Sequence, residues 1–321
     1  MISVALCTYN GGKYIREQLE SILFQTEPVG EIVICDDGST DDTIPIILQI
    51  SAKYTGVIKL VQNTSRLGVC SNFMQALSFC KGDIVFLSDQ DDIWYTNKVE
   101  VMSRYLMTHP KIDLVFSDAI FMGGPLDGLK ITENIALPRE NKRMFSVGLA
   151  LELSMYQVFA AGSSTAIRKK LIGEILRPIP AIPMHDYFLQ YEAAKRDAIA
   201  YLDIPLHHYR MHSEQSSGAG IYQKEILHAI RLKTLSEVWP NPKVLAYVKS
   251  DIDQNPRIKA RLEYMTERNR LLHDFLGPVK VLTRPLTYHH LYRHNAWRVM
   301  KYDMTRSLKY TISRFVKKAQ R

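Results

Sequence analysis

The chain has 321 residues, of which 46% are hydrophobic and 23% are charged, a balance typical of soluble globular proteins. This length suffices for one large domain or two ordinary ones. No stretch of about 18 uncharged apolar residues occurs, so we expect no membrane-spanning helix. Four cysteines without CxxC spacing argue against a zinc site and favour reduced thiols, which fit a cytoplasmic location.

The net charge of +8 is concentrated near the end of the sequence. The segment from Arg284 to Arg321 holds ten lysines and arginines and one acidic residue, so the rest of the chain is close to neutral. Nucleic acid is a poor candidate partner for this basic segment, because no recognised nucleic-acid-binding module accompanies the charge.

The first ninety residues alternate between short apolar runs and segments with helical spacing. Predicted strands cover residues 2–7, 32–35, 57–61 and 84–87, and predicted helices cover 13–26, 39–54 and 68–80. The second helix is expected to begin at Ser39 or Thr40, either of which can cap it. Continuous Val- and Ile-rich strands joined by helices favour an α/β fold, with a Rossmann-like, mostly parallel sheet flanked by helices.

Polar clusters follow three of the predicted strands directly: Thr8-Tyr9-Asn10, Asp36-Asp37, and Ser88 to Asp92. Ligands of parallel α/β sheets bind beyond the carboxyl ends of the strands, so we expect all three clusters at one edge of the sheet. No GxGxxG follows the first strand and no GxxxxGK[ST] occurs, so the usual dinucleotide and P-loop sites lose support.

The most informative segment is residues 86–94, in which an apolar strand runs into three carboxylates, Asp89, Asp91 and Asp92. Bare carboxylates this close repel each other, so such a cluster usually awaits a cation. The cation most often found in this setting is Mg²⁺ or Mn²⁺ held together with the phosphates of a substrate. The alternative is an acidic turn in which aspartate is favoured for local hydrogen bonding.

As an ordered set, the motifs of this chain resemble the family 2 glycosyltransferases, inverting enzymes of the GT-A fold, and especially their rhamnosyltransferase-like branch. The matching motifs are Thr8 to Asn10, Cys35 to Asp41, Gly68 to Phe73, Ser88 to Trp94, Ala161 to Ser164, His185-Asp186 and Tyr209 to His212. The resemblance implies a GT-A domain over residues 1–218. Residues 219–321 match nothing recognised and are predicted to form a helical, basic C-terminal region.

The resemblance assigns the first motifs to a nucleotide-sugar donor, either dTDP-rhamnose or a UDP-sugar. The segment Thr8, Tyr9 and Asn10 would border the base, and Asp37 would accept a hydrogen bond from a pyrimidine N–H. Arg66 would donate to a phosphate or to the base, and a solvated loop arginine is its alternative role.

The resemblance also implies a divalent metal, Mg²⁺ or Mn²⁺, at the second aspartate of the Asp-x-Asp motif, Asp91. Asp89 would contact the ribose, or the metal through water. His212 would lie on the metal or on the diphosphate, and imidazole suits Mn²⁺ better than Mg²⁺. A cation there would stabilise the charge that grows on the leaving nucleoside diphosphate.

The resemblance places the catalytic base at Asp186, the first residue of a predicted helix over residues 186–194. In inverting transfer, a carboxylate takes the proton of the acceptor hydroxyl as it attacks. The usual family pair is Glu-Asp, and here His185 replaces the glutamate. An N-cap is the alternative role of Asp186, and it could serve as both. Gly162 would lie in a small-residue loop against donor and acceptor, with an ordinary turn as the alternative.

The C-terminal region is predicted to be helical over residues 222–275 and to contain a further amphipathic helix. Its apolar stripe is Trp297, Met300, Met304, Leu308, Ile312 and Phe315. The opposite face is rich in lysine and arginine, a pattern typical of helices that lie in an anionic membrane interface. We therefore expect a peripheral protein on the inner face of the cytoplasmic membrane, and a helix packed on its own domain is the alternative.

Taken together, the sequence predicts an inverting, metal-dependent glycosyltransferase acting on a lipid-linked or surface-polysaccharide acceptor, such as a bacterial O-antigen. A sugar-nucleotide pyrophosphorylase is one alternative, but no Gly-rich loop bearing Lys or Arg follows the first strand. An inactive membrane-associated scaffold is the other, but such a protein has no need of Asp91 and Asp186.

Overall fold

The computed structural model describes residues 1–131, 160–175 and 184–215, together with residues 256 and 259. The chain divides into two compact units, Met1–Leu245 and Ala246–Arg321, and all the strands and helices named below belong to the first. Apart from residues 256 and 259, the predicted C-terminal helices lie outside the described residues, and so does the predicted domain boundary after residue 218.

One eight-stranded sheet forms the centre of the first unit. Its strands are β1 Ile2–Thr8, β2 Glu31–Asp36, β3 Ile58–Gln62, β4 Ile84–Ser88, β5 Ile93–Trp94, β6 Leu114–Met122, β7 Thr165–Arg168 and β8 Ile199–Arg210. Their order across the sheet is β3-β2-β1-β4-β7-β6-β8-β5. Strands β1 to β4 are mutually parallel, as are β6 and β8, whereas β7 is antiparallel to β4 and β6, and β5 is antiparallel to β8.

The helices are α1 Ile15–Leu23, α2 Thr43–Ser51, α3 Val69–Phe79, α4 Lys98–Thr108, α5 Lys169–Ile175 and α6 His185–Lys195. Short 3₁₀ turns cover Gly124–Leu126 and Gly162–Ser164. Within the described residues, no helix combines the length and the apolar character needed to cross a membrane. The strands and helices predicted in the first ninety residues are all present, so the predicted α/β fold is confirmed for this part of the chain.

The predicted start of the second helix was wrong. The helix begins at Thr43 instead of Ser39 or Thr40. Ser39 is held by Asp36, whose carboxylate accepts hydrogen bonds from both its backbone N–H and its hydroxyl. This side-chain bonding competes with helix formation, as is common for Ser and Asp in turns. Asp41, which accepts from the N–H of Thr43 at 3.0 Å, satisfies a free amide at the real helix start.

The central parallel strands are buried on both faces, which explains their unbroken apolar sequences. Val4, Ile34 and Phe86, one from each of β1, β2 and β4, are fully buried in the main core cluster. Register then fixes the position of the polar clusters: Thr8 pairs with Asp36, and Leu6 pairs with Ser88. The carboxyl ends of β1, β2 and β4 therefore meet at one edge of the sheet, as predicted.

Candidate active site

Thr8 and Asn10 connect the end of β1 to the turn after β2. The Thr8 hydroxyl donates to Asp36 Oδ2 at 2.8 Å. The Asn10 N–H donates to Ser39 Oγ at 2.8 Å, and Asn10 Oδ1 accepts from the N–H of Thr40 at 2.9 Å. These bonds make the two loops one unit, in which Thr8 and Asn10 brace the polar edge.

Asp37 is a buried carboxylate that organises the loop before α3. It accepts from the N–H of Leu67 at 2.7 Å, the N–H of Gly68 at 2.9 Å and Asn63 Nδ2 at 3.0 Å. Arg66 Nε lies 4.0 Å from Asp37 Oδ2. A carboxylate offers about four acceptor positions, so Asp37 keeps capacity for one more donor.

Tyr9 and Arg66 form a stacked pair beside Asp37. The guanidinium carbon of Arg66 lies 3.9 Å from the centroid of the Tyr9 ring, a cation–π arrangement. The Tyr9 backbone is clamped by the Gln90 amide, which accepts from its N–H at 2.8 Å and donates to its carbonyl oxygen at 3.1 Å. A Cβ at Gly11 would lie 2.3 Å from Gln90 Oε1, so this clamp requires glycine at position 11.

Asp91 and His212 meet although 121 residues separate them in sequence. His212 Nε2 lies 2.9 Å from Asp91 Oδ2, and the N–H of Glu214 donates to His212 Nδ1 at 3.3 Å. With Nδ1 accepting, the neutral imidazole carries its proton on Nε2 and donates it to Asp91. The His212 ring also lies against Tyr14, with the two ring centroids 4.5 Å apart.

Arg210 secures the loop that carries Asp91, a role that the sequence analysis missed. Its Nε donates to the Asp91 carbonyl oxygen at 2.8 Å, and its backbone N–H donates to Asp92 Oδ1 at 3.2 Å. Its guanidinium also pairs with Glu17 on α1 at 2.5 Å. The available signal was its position two residues before His212, within the motif Tyr209 to His212.

The donor set near Asp91 fits a divalent cation in part. Among the described residues, no group of three or more His, Cys, Asp or Glu side chains could hold a metal ion. Asp89 therefore does not join Asp91 and His212 in a preassembled three-ligand site. One carboxylate oxygen and one imidazole nitrogen suit Mn²⁺ or Mg²⁺ when oxygens of a bound ligand complete the shell. The pair thus fits a metal that arrives with a diphosphate.

The carboxylates at the end of β4 are crowded. Burial raises the pKa of Asp89 well above its usual range, and the charges of Asp92, Asp91 and Asp186 raise it further, while Lys98 opposes them. Burial, with help from Asp91, also raises the pKa of Asp92 to about 7. Because Asp186 acts on Asp89, the predicted base and the Asp-x-Asp motif belong to one electrostatic neighbourhood.

Asp186 lies in the first turn of α6 and is 9% exposed. Its Oδ1 accepts from the N–H of Tyr187 at 2.7 Å. Burial raises the pKa of Asp186 to about 6, although N–H groups of Tyr187, Asp186 and Gly162 act to lower it. The N-cap position belongs to Met184, so capping is not the role of Asp186. A carboxyl with a pKa near neutrality is suited to general-base catalysis.

His185 is a buried, neutral ring, so it does not supply the negative charge of the glutamate that it replaces. Its ring stacks on Phe73, with centroids 3.9 Å apart, and burial lowers its pKa to about 3, so it is neutral. Neither ring nitrogen has a hydrogen-bond partner within the described part of the chain. A Cβ at Gly162 would lie 2.6 Å from His185 Nε2, so the glycine makes room for this ring.

Lys98 is a further residue of the site that sequence reasoning missed. It is fully buried at the start of α4, and its Nζ donates to the Ser163 carbonyl oxygen at 2.5 Å. Burial lowers the pKa of Lys98 to about 7, while the charges of Asp92 and Asp89 act to raise it. Its only sequence signal was a position four residues after Trp94, whose ring centroid lies 4.3 Å from Nζ.

The family model for glycosyl transferase family 2 matches residues 3–176, more than half of the chain. The chain belongs to glycosyl transferase family 2. Among its relatives, dTDP-rhamnosyl transferase RfbG of Shigella flexneri is 29% identical over an alignment of 233 positions, which covers 67% of this chain and 74% of that protein. Putative glycosyltransferase EpsE of Bacillus subtilis is 33% identical over 114 residues, 36% of this chain.

The match spans 41% of EpsE and 59% of three uncharacterised mycobacterial relatives, less than two thirds of their lengths. Among solved structures, Staphylococcus aureus TarS in complex with UDP-GlcNAc superposes with a TM-score of 0.55. That match has 16% identity and covers 98% of this chain and 92% of TarS 1-349. Such a likeness shows the fold alone, and it confirms the predicted GT-A fold of this family 2 member.

Proposed function

We propose that this family 2 protein is an inverting glycosyltransferase that moves a sugar from a dTDP- or UDP-linked donor onto a growing surface glycan. The observation that carries the proposal is the charge effect of Asp186 on Asp89, which puts the proposed base near the carboxylate loop after β4. A base and a diphosphate-binding loop are both needed for a single displacement at the anomeric carbon.

In the proposed reaction, the acceptor hydroxyl oxygen attacks the anomeric carbon of the donor sugar. The new C–O bond forms as the bond to the nucleoside diphosphate breaks, and the hydroxyl proton passes to Asp186. With a pKa of about 6, Asp186 is mostly ionised at pH 7 and still basic enough to take a proton. A positioned base of this kind contributes roughly 10²–10⁴-fold to the rate.

The nucleotide would be held by the loops at the ends of β1 and β2. Asp37 has acceptor capacity for a pyrimidine N–H beyond the three hydrogen bonds that it already receives. Arg66, 63% exposed and stacked on Tyr9, can turn its free N–H groups to a base or a phosphate. Thr8 and Asn10 link these two loops through hydrogen bonds, so we propose that they assist donor binding by holding the loops in place.

Asp91 and His212 would hold Mg²⁺ or Mn²⁺, with Asp89 reaching the ribose or, through water, the metal. When bound with the donor, the cation supplies Lewis-acid stabilisation of the charge on the leaving diphosphate. To bind a metal through Nε2, a neutral His212 would carry its proton on Nδ1, so its hydrogen bonds to Asp91 and Glu214 would both have to change.

The names of two relatives support the donor and acceptor classes. RfbG is named as a dTDP-rhamnosyl transferase, and WfgD of Escherichia coli, 33% identical over 107 residues, is named as a UDP-Glc:alpha-D-GlcNAc-diphosphoundecaprenol glucosyltransferase. We propose a lipid-linked acceptor for this chain too. Attachment to an anionic membrane through the basic C-terminal segment, on the cytoplasmic side, is the corresponding proposal for its location.

The test is release of nucleoside diphosphate from UDP-glucose, UDP-GlcNAc, dTDP-rhamnose and GDP-mannose, each with Mn²⁺ or Mg²⁺ and a lipid-diphosphate-linked sugar. We expect release from a dTDP- or UDP-linked donor, and we expect EDTA to abolish it. No release from any donor would contradict the proposal. Release from GDP-mannose alone would overturn the donor class and leave the reaction type intact.

A further inference from the structure

Lys98 is a fully buried lysine that interacts with groups near both the proposed base and the proposed donor-binding loop. Full burial is rare for lysine, because its ammonium group must be desolvated and needs partners. Lys98 is 0% exposed, and its Nζ has two kinds of partner: the Ser163 carbonyl oxygen at 2.5 Å and the face of the Trp94 ring. The chain therefore maintains a costly group at this position.

One partner of Lys98 belongs to the turn that contacts the proposed base. Ser163 is the middle residue of the 3₁₀ turn Gly162–Ser164. Gly162 lies under the His185 ring, and its N–H is one of the groups that act on Asp186. The Lys98 hydrogen bond is thus one residue away from a group that contacts Asp186.

Lys98 is also subject to the charges of the carboxylate loop after β4. The negative charges of Asp92 and Asp89 both act on the ammonium group. Asp92 is 1% exposed and also receives the N–H of Arg210 at 3.2 Å. The same cation therefore interacts with the loop that would bind the donor and with the turn beside the proposed base.

We propose that Lys98 is a positioning residue that fixes the Gly162–Ser164 turn, and through it Asp186, relative to the donor-binding carboxylate loop. This inference rests on the proposed glycosyl transfer, in which the acceptor oxygen beside Asp186 must align with the anomeric carbon. A misplacement of about 1 Å between reacting groups can cost about 100-fold in rate. Lys98 contacts the frame of the site and none of the reacting atoms.

The first test is Lys98→Met, which keeps the unbranched apolar stem of the side chain but removes its N–H donors and charge. Lys170→Met is the matched control, because Lys170 pairs with Asp113 at 2.6 Å and is 58% exposed. We expect Lys98→Met to slow nucleoside diphosphate release about 100-fold, while calorimetry with UDP or dTDP and Mn²⁺ shows near-normal affinity. Unchanged release, or an equal loss of affinity and rate, would overturn the inference.

A second pair of variants separates positioning from charge neutralisation. Lys98→Met leaves the buried Asp92 carboxylate without its cation, which can prevent folding. Asp92→Asn removes that charge, so the double variant Lys98→Met/Asp92→Asn is compared with Asp92→Asn alone. We expect the double variant to fold and to release nucleoside diphosphate about 100-fold more slowly. Equal rates would show that Lys98 only neutralises Asp92.

A third readout needs no activity. Hydrogen exchange of the amides of residues 162–165 in the free protein should be faster in Lys98→Met than in the wild type and in Lys170→Met. Unchanged exchange would contradict a positioning role. If the wild type releases no nucleoside diphosphate from any donor, the proposed function fails, and the exchange result still decides whether Lys98 fixes the turn.

Discussion

Two groups of aspartates at the same sheet edge have opposite environments. In the loops after β1 and β2, Asp37 accepts hydrogen bonds from two backbone N–H groups and a side-chain amide. Burial acts to raise the pKa of Asp41, but hydrogen bonds from Thr43 and Gly12 outweigh it, so that the pKa is lowered. At the end of β4 and the start of α6, burial raises the pKa of Asp89, Asp92 and Asp186. The first group organises loops through hydrogen bonds, whereas the second is the one to which we assign the cation and the transferred proton.

The comparison teaches that burial alone does not decide how these carboxylates behave, because each also depends on the donors and the like charges around it. Asp37 and Asp186 are both nearly buried. We expect removal of the charge to stabilise the fold at Asp186, whose pKa is raised by burial, and to destabilise it at Asp37, which accepts three hydrogen bonds.

The largest expected effect is on transfer by Asp186→Asn. An amide cannot take the acceptor proton, so turnover should fall by about 10²–10⁴-fold while UDP or dTDP binds normally. Initial-rate and calorimetric measurements check this, with Glu20→Gln, an exposed carboxylate of α1, as the control. Wild-type turnover in Asp186→Asn would remove Asp186 from the mechanism.

The same variant should be more stable than the wild type at neutral pH. The pKa of Asp186 rises from 3.8 to about 6 on folding, so the folded state binds more protons between these values and stability falls as pH rises through them. The full cost at pH 7 is at most about 3 kcal/mol. Denaturant titrations should show Asp186→Asn gaining stability at pH 7.5 and little at pH 4. A loss at pH 7.5 would show that Asp186 is stabilised as a structural carboxylate.

Loss of Asp91 should weaken nucleoside diphosphate binding. Charged contacts contribute about 1.5–3 kcal/mol each, so Asp91→Ala should raise the Kd for UDP or dTDP with Mn²⁺ by about 10- to 150-fold. EDTA should have a similar effect on the wild type and little further effect on the variant. Calorimetry checks both, and tight binding that ignores EDTA would refute the metal assignment.

The smallest expected effect is a loss of stability in Asp37→Asn. An amide cannot accept all the hydrogen bonds that reach Asp37, so the free energy of unfolding should fall by roughly 1–3 kcal/mol. Urea denaturation measures this loss, and Asp42→Asn, an exposed aspartate at the N-cap of α2 without a side-chain capping bond, is the control. A gain in stability at pH 7 would show that the charge of Asp37 destabilises the fold, as we expect for Asp186, and would contradict the difference between the two groups.

The first region was predicted well from the sequence, because the patterns that define its strands and loops lie within short stretches of chain. Apolar runs marked β1, β2 and β4, and the polar residues that follow them fixed the position of the edge. The start of α2 was mispredicted, since Asp36 competes for Ser39, a contact that a capping rule does not weigh.

The arrangement of the second region depends on contacts between residues far apart in sequence, which no short sequence pattern predicts. The resemblance named Asp186 and His212, but not the contact of His185 with Gly162, which joins residues 23 positions apart. Lys98 shows the same limit, because a buried lysine and a surface lysine give identical helical patterns. Its burial follows only from the arrangement of β4, α4 and the Gly162–Ser164 turn in space.

The Gln90 clamp has a consequence for engineering of this scaffold. The Gln90 amide, between Asp89 and Asp91, hydrogen-bonds the Tyr9 backbone, and in this position it leaves no room for a Cβ at residue 11. A graft of residues 88–92 from a relative would therefore have to be transplanted together with its own residue 11. Such an exchange is a two-segment operation, even though Tyr9 and Gln90 are 81 residues apart in sequence.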